Sequence, residues 1–252
     1  MTKRMLPLFL VVGLLLAGCA SEAPATGGAN SAAITISVPN DAGSLSNSIQ
    51  MMLLLTGLAF LPALVILMTG FVRIVIVLAS LRTAIGVPML PPNQVIIGLA
   101  LILSFYVMAP TFSTINETAL QPYMDGQMQL EEAVSVGVRP LREFMFKQVG
   151  ENDLALFVYL SGSGRPRTRE DIPTYVLVPA FVLSELKIAF QMVFVIYIPF
   201  LVIDIVVSSA LMSMGMMMLP PTIISLPFKL LLIVMVDGWH LLVQNLVVSF
   251  MT

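Results

Sequence analysis

An all-α, membrane-associated chain of helical hairpins is the fold class this sequence predicts. Three observations carry that prediction. Of 252 residues, 58% are hydrophobic and only 10% charged, with a mean hydropathy of +0.98. Globular chains carry about 25% charged residues, and a water-soluble fold cannot hide this much apolar surface. The apolar residues are gathered into runs long enough to cross a bilayer as helices. Prolines and charges interrupt those runs, so the helices must face protein or water along part of their surface, because lipid offers no partner to a freed backbone group. A net charge of −2 gives no electrostatic footprint for nucleic acid. One cysteine excludes an intrachain disulfide framework, and with one histidine there is no metal cluster or cofactor site in the residue pattern.

Residues 1–20 read as a secretory signal peptide. Lys3 and Arg4 form its basic start, residues 5–16 its apolar stretch, and Ala17, Gly18, Cys19 and Ala20 its small-residue end. Leu16-Ala17-Gly18-Cys19 also fits a lipobox, which would make Cys19 a lipidation site; cleavage after Ala20 is the alternative. Both put the mature N-terminus outside the cytoplasm. Residues 21–46, rich in small and polar side chains, cannot offset the entropy of ordering and read as a flexible tether.

An N-terminal helical hairpin is expected over 47–110. Its first run, 49–81, is interrupted by Pro62 and Gly70 and contains Arg73. Gly86-Val87-Pro88 and Pro91-Pro92-Asn93 make a tight connection, and a second helix over 94–109 should stop at Pro110. Residues 111–172 differ: nine acidic and six basic residues mark a polar helical segment on the non-cytoplasmic side. Amphipathic helices are expected over 128–136, with Glu131 and Glu132, and over 141–149. A short helix over 152–160 should be capped by Asn152, and Arg165, Arg167 and Arg169 lie in a charged turn whose simplest reading is a solvated face. A C-terminal hairpin follows over 173–252. Its run 175–219 should break at Pro179 and Pro199, and 223–251 should be one last helix with Pro227 near its start. This gives four candidate spans with both termini outside. Arg82 and Lys229 are the only basic residues near the presumed inner turns, a weak positive-inside signal.

The two arms of the last hairpin meet in Met-Ser-Met-Gly-Met-Met-Met-Leu-Pro-Pro, beginning at Met212. Gly215, Pro220 and Pro221 should force the turn. Met216, Met217 and Met218 lie between them, flexible thioethers able to seal against irregular surfaces. As plain apolar residues they need no special role. Neighbouring positions point about 100° apart on a helix, so the three cannot converge on a metal. Arg73, Glu185, Lys187, Asp204, Lys229 and Asp237 lie in or beside apolar runs, where each charge costs about 2.5–3.5 kcal/mol on insertion scales. Either they pair across helices, within or between subunits, or they form a proton or ion relay. Glu185 with Lys229 is the pair the hairpin suggests. His240 reads as an ordinary helix-end histidine. No triad, metal-ligand spacing or phosphate loop is present, so nothing points to an enzyme.

Several stretches resemble one known family, FliP. They are Leu45-Ser-Asn-Ser-Ile-Gln-Met-Met, Arg73 with Leu81-Arg82, Pro91-Pro-Asn-Gln, Pro140-Leu-Arg-Glu-Phe-Met, Ser184-Glu-Leu-Lys with Ala189-Phe-Gln, and Ile198-Pro-Phe-Leu-Val-Ile-Asp. The fullest likeness runs from Met214-Gly-Met-Met-Met-Leu-Pro-Pro through Leu226-Pro-Phe-Lys-Leu to Asp237-Gly-Trp. It covers residues 45–252. The resemblance implies a core subunit of the bacterial flagellar type III export gate. There, five copies would join FliQ-type and FliR-type subunits, with an FlhB-type switch protein, in a conical helical pore. That pore would sit in the inner membrane and flagellar basal body, much of it on the periplasmic side, and pass unfolded flagellar proteins. Met216, Met217 and Met218 would be its gasket. The lipobox-like leader is not carried by the resemblance. Two rivals remain open: a self-contained transporter using Asp204, Asp237 and Glu185 as a relay, and a structural envelope lipoprotein without a pore.

Overall fold

A computed structural model of the chain describes residues 42–162, 164, 166–216 and 219–251. The signal peptide, Cys19, residues 21–41 of the tether, Arg165, and Met217 and Met218 lie outside the described residues. Two units are distinguished, Met1–Met52 and Leu53–Thr252. In the first, the described residues 42–52 are the opening turns of helix α1 (Ala42–Leu67). All that follows concerns the second.

Among the described residues the secondary structure is helical throughout, as expected. After α1 come α2 (Phe71–Ile85), α3 (Asn93–Ile115), a π-helical turn (Asn116–Leu120), α4 (Gln121–Met124), α5 (Leu130–Gln148), α6 (Glu151–Leu160), α7 (Thr174–Ser213), α8 (Pro221–Met235) and α9 (Gly238–Val248). α7 is the spine: α2, α5, α6 and α8 all pack against it. Its first half buries one stripe, with Leu177, Phe181, Ser184, Glu185 and Ala189 recurring every three or four residues. α2 answers with Ile74, Val77, Leu78, Leu81 and Ile85, which form one apolar core with Ala189 of that stripe and with Ile96, Ala100, Leu242, Leu246 and Phe250, while Leu177 and Phe181 make a second, smaller cluster with Met145 of α5.

The glycines end helices where the sequence indicates, but most prolines do not. Gly86 closes α2 in the left-handed region at φ 95°, a conformation that costs a residue with a Cβ. Yet Pro62, Pro110, Pro140, Pro179, Pro199 and Pro227 all lie inside helices. The stop expected at Pro110 is absent: α3, the π turn and α4 run on as 32 residues, Asn93–Met124. Thr174–Ser213 is one 40-residue helix despite Pro179 and Pro199. Likewise, 128–136 and 141–149 are not separate; one α5 holds Pro140. Proline removes one hydrogen bond and crowds one turn, and neighbouring polar groups and packing can absorb both in a long apolar helix.

The remaining differences run the other way. The last arm is two helices, α8 and α9, bent by 62° at Val236-Asp237. Gly150, not Asn152, is the N-cap of α6. Among the described residues, two helices are long and apolar enough to cross a membrane, or up to four if each bent pair (51–85 and 221–248) counts as one span.

Candidate functional site

Charge inside apolar helices is the problem this sequence sets, and among the described residues the fold answers it with three separate polar sites. The deepest is centred on Arg73. Arg73 lies four and eight residues before Val77 and Leu81, on the face α2 turns inward, and only 1% of it is exposed; Glu185, between Phe181 and Ala189 on α7, is 0% exposed. Arg73 Nε donates to Glu185 Oε2 at 2.9 Å, and Nη2 bonds Oε1 of the same carboxylate, a two-pronged ion pair. Nη2 also donates to Gln148 Oε1 at 3.0 Å. Nη1 donates to the carbonyl and hydroxyl oxygens of Ser249, at 3.1 and 3.0 Å. The guanidinium carbon stands 3.9 Å from the centre of the Phe250 ring, within cation–π range. Gln148 Nε2 closes the loop by donating to the Phe250 carbonyl at 3.2 Å. One side chain thus ties together α2, α5, α7 and the segment after α9.

Phe250 reaches this place because residue 70 has no side chain. A Cβ built on Gly70 would lie 2.6 Å from Phe250 Cζ. The break between α1 and α2 is therefore also the slot that receives the ring.

At the second site, Lys187 Nζ bonds Asp153 Oδ1. Ser184, one turn earlier on α7, donates to Asp153 Oδ2 at 2.9 Å and accepts the Gly150 N–H at 2.9 Å. These contacts dock α6 on α7. The Lys187 ammonium holds the Asp153 carboxyl below its ordinary range; burial opposes this and the Ser184 hydroxyl assists it.

The third site lies on the hairpin itself. Lys229 Nζ donates to Asp204 Oδ2 at 2.7 Å and to the Ala84 carbonyl at 3.3 Å, and Ser225, one turn before Lys229, donates to Asp204 Oδ1 at 2.6 Å. The lysine is 7% exposed and the aspartate 35%. They border a cleft that Thr83, Tyr197, Phe200 and Ile223 also line.

The pair expected between Glu185 and Lys229 is therefore not formed. Glu185 takes Arg73 and Lys229 takes Asp204, because Asp204 lies 19 residues further along α7, beside the start of α8, whereas Glu185 faces α2. Asp237 caps α9 without a side-chain capping bond. Asp153, Gln148, Ser249 and Phe250 were not singled out in the sequence. Ser184–Lys187 and Ser225–Lys229, spaced three and four residues apart, are the one periodic signal of these clusters. No group of three or more His, Cys, Asp or Glu that could hold a metal occurs among the described residues.

The hairpin turn has a definite start. After Ser213 the chain leaves α7 through Gly215 at φ 74°. The Gly215 N–H bonds the Met212 carbonyl at 3.0 Å and the Met216 N–H reaches back to Leu211 at 3.0 Å, the paired bonds of a Schellman close. Met216 is 37% and Met214 69% exposed. Pro220 caps α8 and Pro221 opens it, the position where a missing N–H costs nothing. Gly215, Pro220 and Pro221 thus stand at the two ends of the turn.

Comparison with known proteins covers most of the chain. The FliP family model matches residues 54–246. The flagellar biosynthetic protein FliP of Bacillus subtilis is 53% identical over 217 residues, 86% of this chain and 98% of that protein. The protein of the same name from Pectobacterium carotovorum is 51% identical over 86% of this chain and 84% of its own length. That of Caulobacter vibrioides is 50% identical over 95% of this chain and 90% of its own length.

Proposed function

Because the chain belongs to the FliP family, we propose that it is a core subunit of the flagellar type III export gate, one of several copies whose helices enclose a pore for unfolded flagellar proteins. The single observation that carries this reading is the family match over 54–246 together with 53% identity to a flagellar biosynthetic protein across almost its whole length. FliQ-type and FliR-type subunits, an FlhB-type switch protein, membrane lipid and further copies of this chain are its proposed partners. Its proposed place is the inner membrane and basal body, with much of the chain periplasmic.

The geometry supports the reading in two ways. Pairing of Arg73 with Glu185 and of Lys229 with Asp204 makes these charges fasteners between helices, which weakens the case for a carboxylate relay in a self-contained transporter. The Schellman close at Gly215 and the proline cap at Pro220 define the two ends of the methionine turn. Met216, Met217 and Met218 from several copies would form a dry, deformable gasket: apolar constrictions resist wetting, and unbranched thioethers adapt to each passing side chain.

The test is to replace all three methionines by Ala in the assembled gate. Small-ion conductance through membranes should rise several-fold while export continues in part. An unchanged conductance in a gate that assembles would refute the gasket.

A further inference from the structure

We infer that Asp237 works through its backbone and not its charge: its left-handed conformation turns the return arm of the hairpin so that Ser249 and Phe250 close on Arg73. Asp237 is the one non-glycine residue with positive φ among the described residues, at φ 49° and ψ 51°. Ordinary L-residues resist that region, whereas Asp and Asn, with short polar side chains, enter it readily. An aspartate that caps a helix by its side chain is extended and accepts an N–H from the first turn. This one is left-handed, makes no such bond and is exposed.

The next residue fixes the path. A Cβ on Gly238 would lie 3.3 Å from both Ile233 Cγ2 and the Ile233 carbonyl oxygen, so the chain turns closely over the end of α8. The outcome is the 62° bend between α8 and α9. α9 then seats Leu242 and Leu246 in the core and delivers the Ser249 oxygens and the Phe250 ring to Arg73. Its 11 residues span roughly 16 Å at 1.5 Å each. Straightening the bend would carry the far end away by about that distance, leaving Arg73 Nη1 without partners beside Glu185. Asp237 is thus a positioning residue for the buried hub. This holds whether or not the chain forms a gate.

A thiol placed at the hub reads the proposal. In the full chain, in its native membranes and with Cys19→Ser, S249C keeps the backbone carbonyl that Arg73 uses, and the rate of its labelling by a membrane-permeant maleimide reports closure. D237N and D237G should label within about twofold of the parent. D237E and D237V should label about tenfold faster, the factor set by the cost of the left-handed region for residues not suited to it. A charge role reverses the order: D237E would match the parent while D237N and D237G opened the hub, and that result overturns the proposal. Equal rates in every variant overturn it too. If D237V does not accumulate, the comparison of D237G with D237E decides alone.

Discussion

Arg73 shows how much one side chain can hold when its geometry is used in full. Its three nitrogens serve Glu185, Gln148 and Ser249 in different directions, and its flat face lies against Phe250. Removing one partner of a buried pair leaves the other charge uncompensated, at a cost of about 3–5 kcal/mol. R73M and E185A should therefore each lose most of the folded protein, measured as the soluble fraction after a heat step in detergent. R73K should fail almost as badly, because a point charge cannot reach all these acceptors. The swap R73E/E185R should not restore folding, since a carboxylate at position 73 would confront the Ser249 carbonyl and Gln148 Oε1. Recovery on swapping would mean that the pair's charge alone matters. The sequence marked Arg73, Glu185, Lys187, Asp204 and Lys229 as charges in need of partners, and each has one, whereas Asp237, marked with them, is exposed; the inward face of Arg73 was legible too, given Val77 and Leu81 at helical spacing. Which acid it meets was not, because periodicity fixes a face but not the helix opposite.

At the scale of elements, the sequence overstated proline and understated glycine. A proline inside an apolar helix disturbs one turn, and α7 carries Pro179 and Pro199 without breaking. A glycine that is left-handed ends the helix outright, as at Gly86 and Gly215. G215A should lower stability by about 1–2 kcal/mol, the cost of the left-handed region for a residue with a Cβ. G215V should be worse and should also raise ion leak, since it would displace Met216 from its bond to Leu211. Leak equal to wild type in G215V would sever the turn's geometry from sealing. The junction of α6 and α7 carries a pH dependence. Asp153 is depressed in the folded chain by Lys187, so its contribution is complete above the unfolded value of about 4 and is lost as pH falls through the lower folded value. Because Lys187 is 56% exposed, the effect should be no more than about 1 kcal/mol. Thermal scans from pH 6 to pH 3 should show the wild type losing this increment and D153N lacking it throughout. Identical pH profiles would remove Asp153 from the account.

For the whole molecule, the informative quantity is what stays uncovered. Phe190, Phe194, Val195, Leu201, Ile205 and Val206 on α7 are all more than half exposed, and only 6% of the most apolar window of that helix is buried within the chain. Half of the spine therefore presents apolar surface to something other than its own fold, and lipid alone does not account for Asp204 on the same arm and Lys229 on the facing one. Their pair is part exposed and joins the two arms of the hairpin; in the proposed assembly it would set the angle at which the hairpin meets a neighbour. D204A leaves Lys229 with only the Ala84 carbonyl and should reduce recovery of the multi-copy particle more than it reduces the amount of chain in the membrane. K229M/D204L, which removes both charges, should restore part of the assembly, because an apolar pair of similar volume can replace an ion pair at little cost. Native-gel electrophoresis of particles extracted after co-expression with the proposed FliQ-type and FliR-type partners measures both. A particle unaffected by D204A, or a purified chain that is a stable monomer conducting protons unaided, would return the charges to a relay and the chain to a transporter.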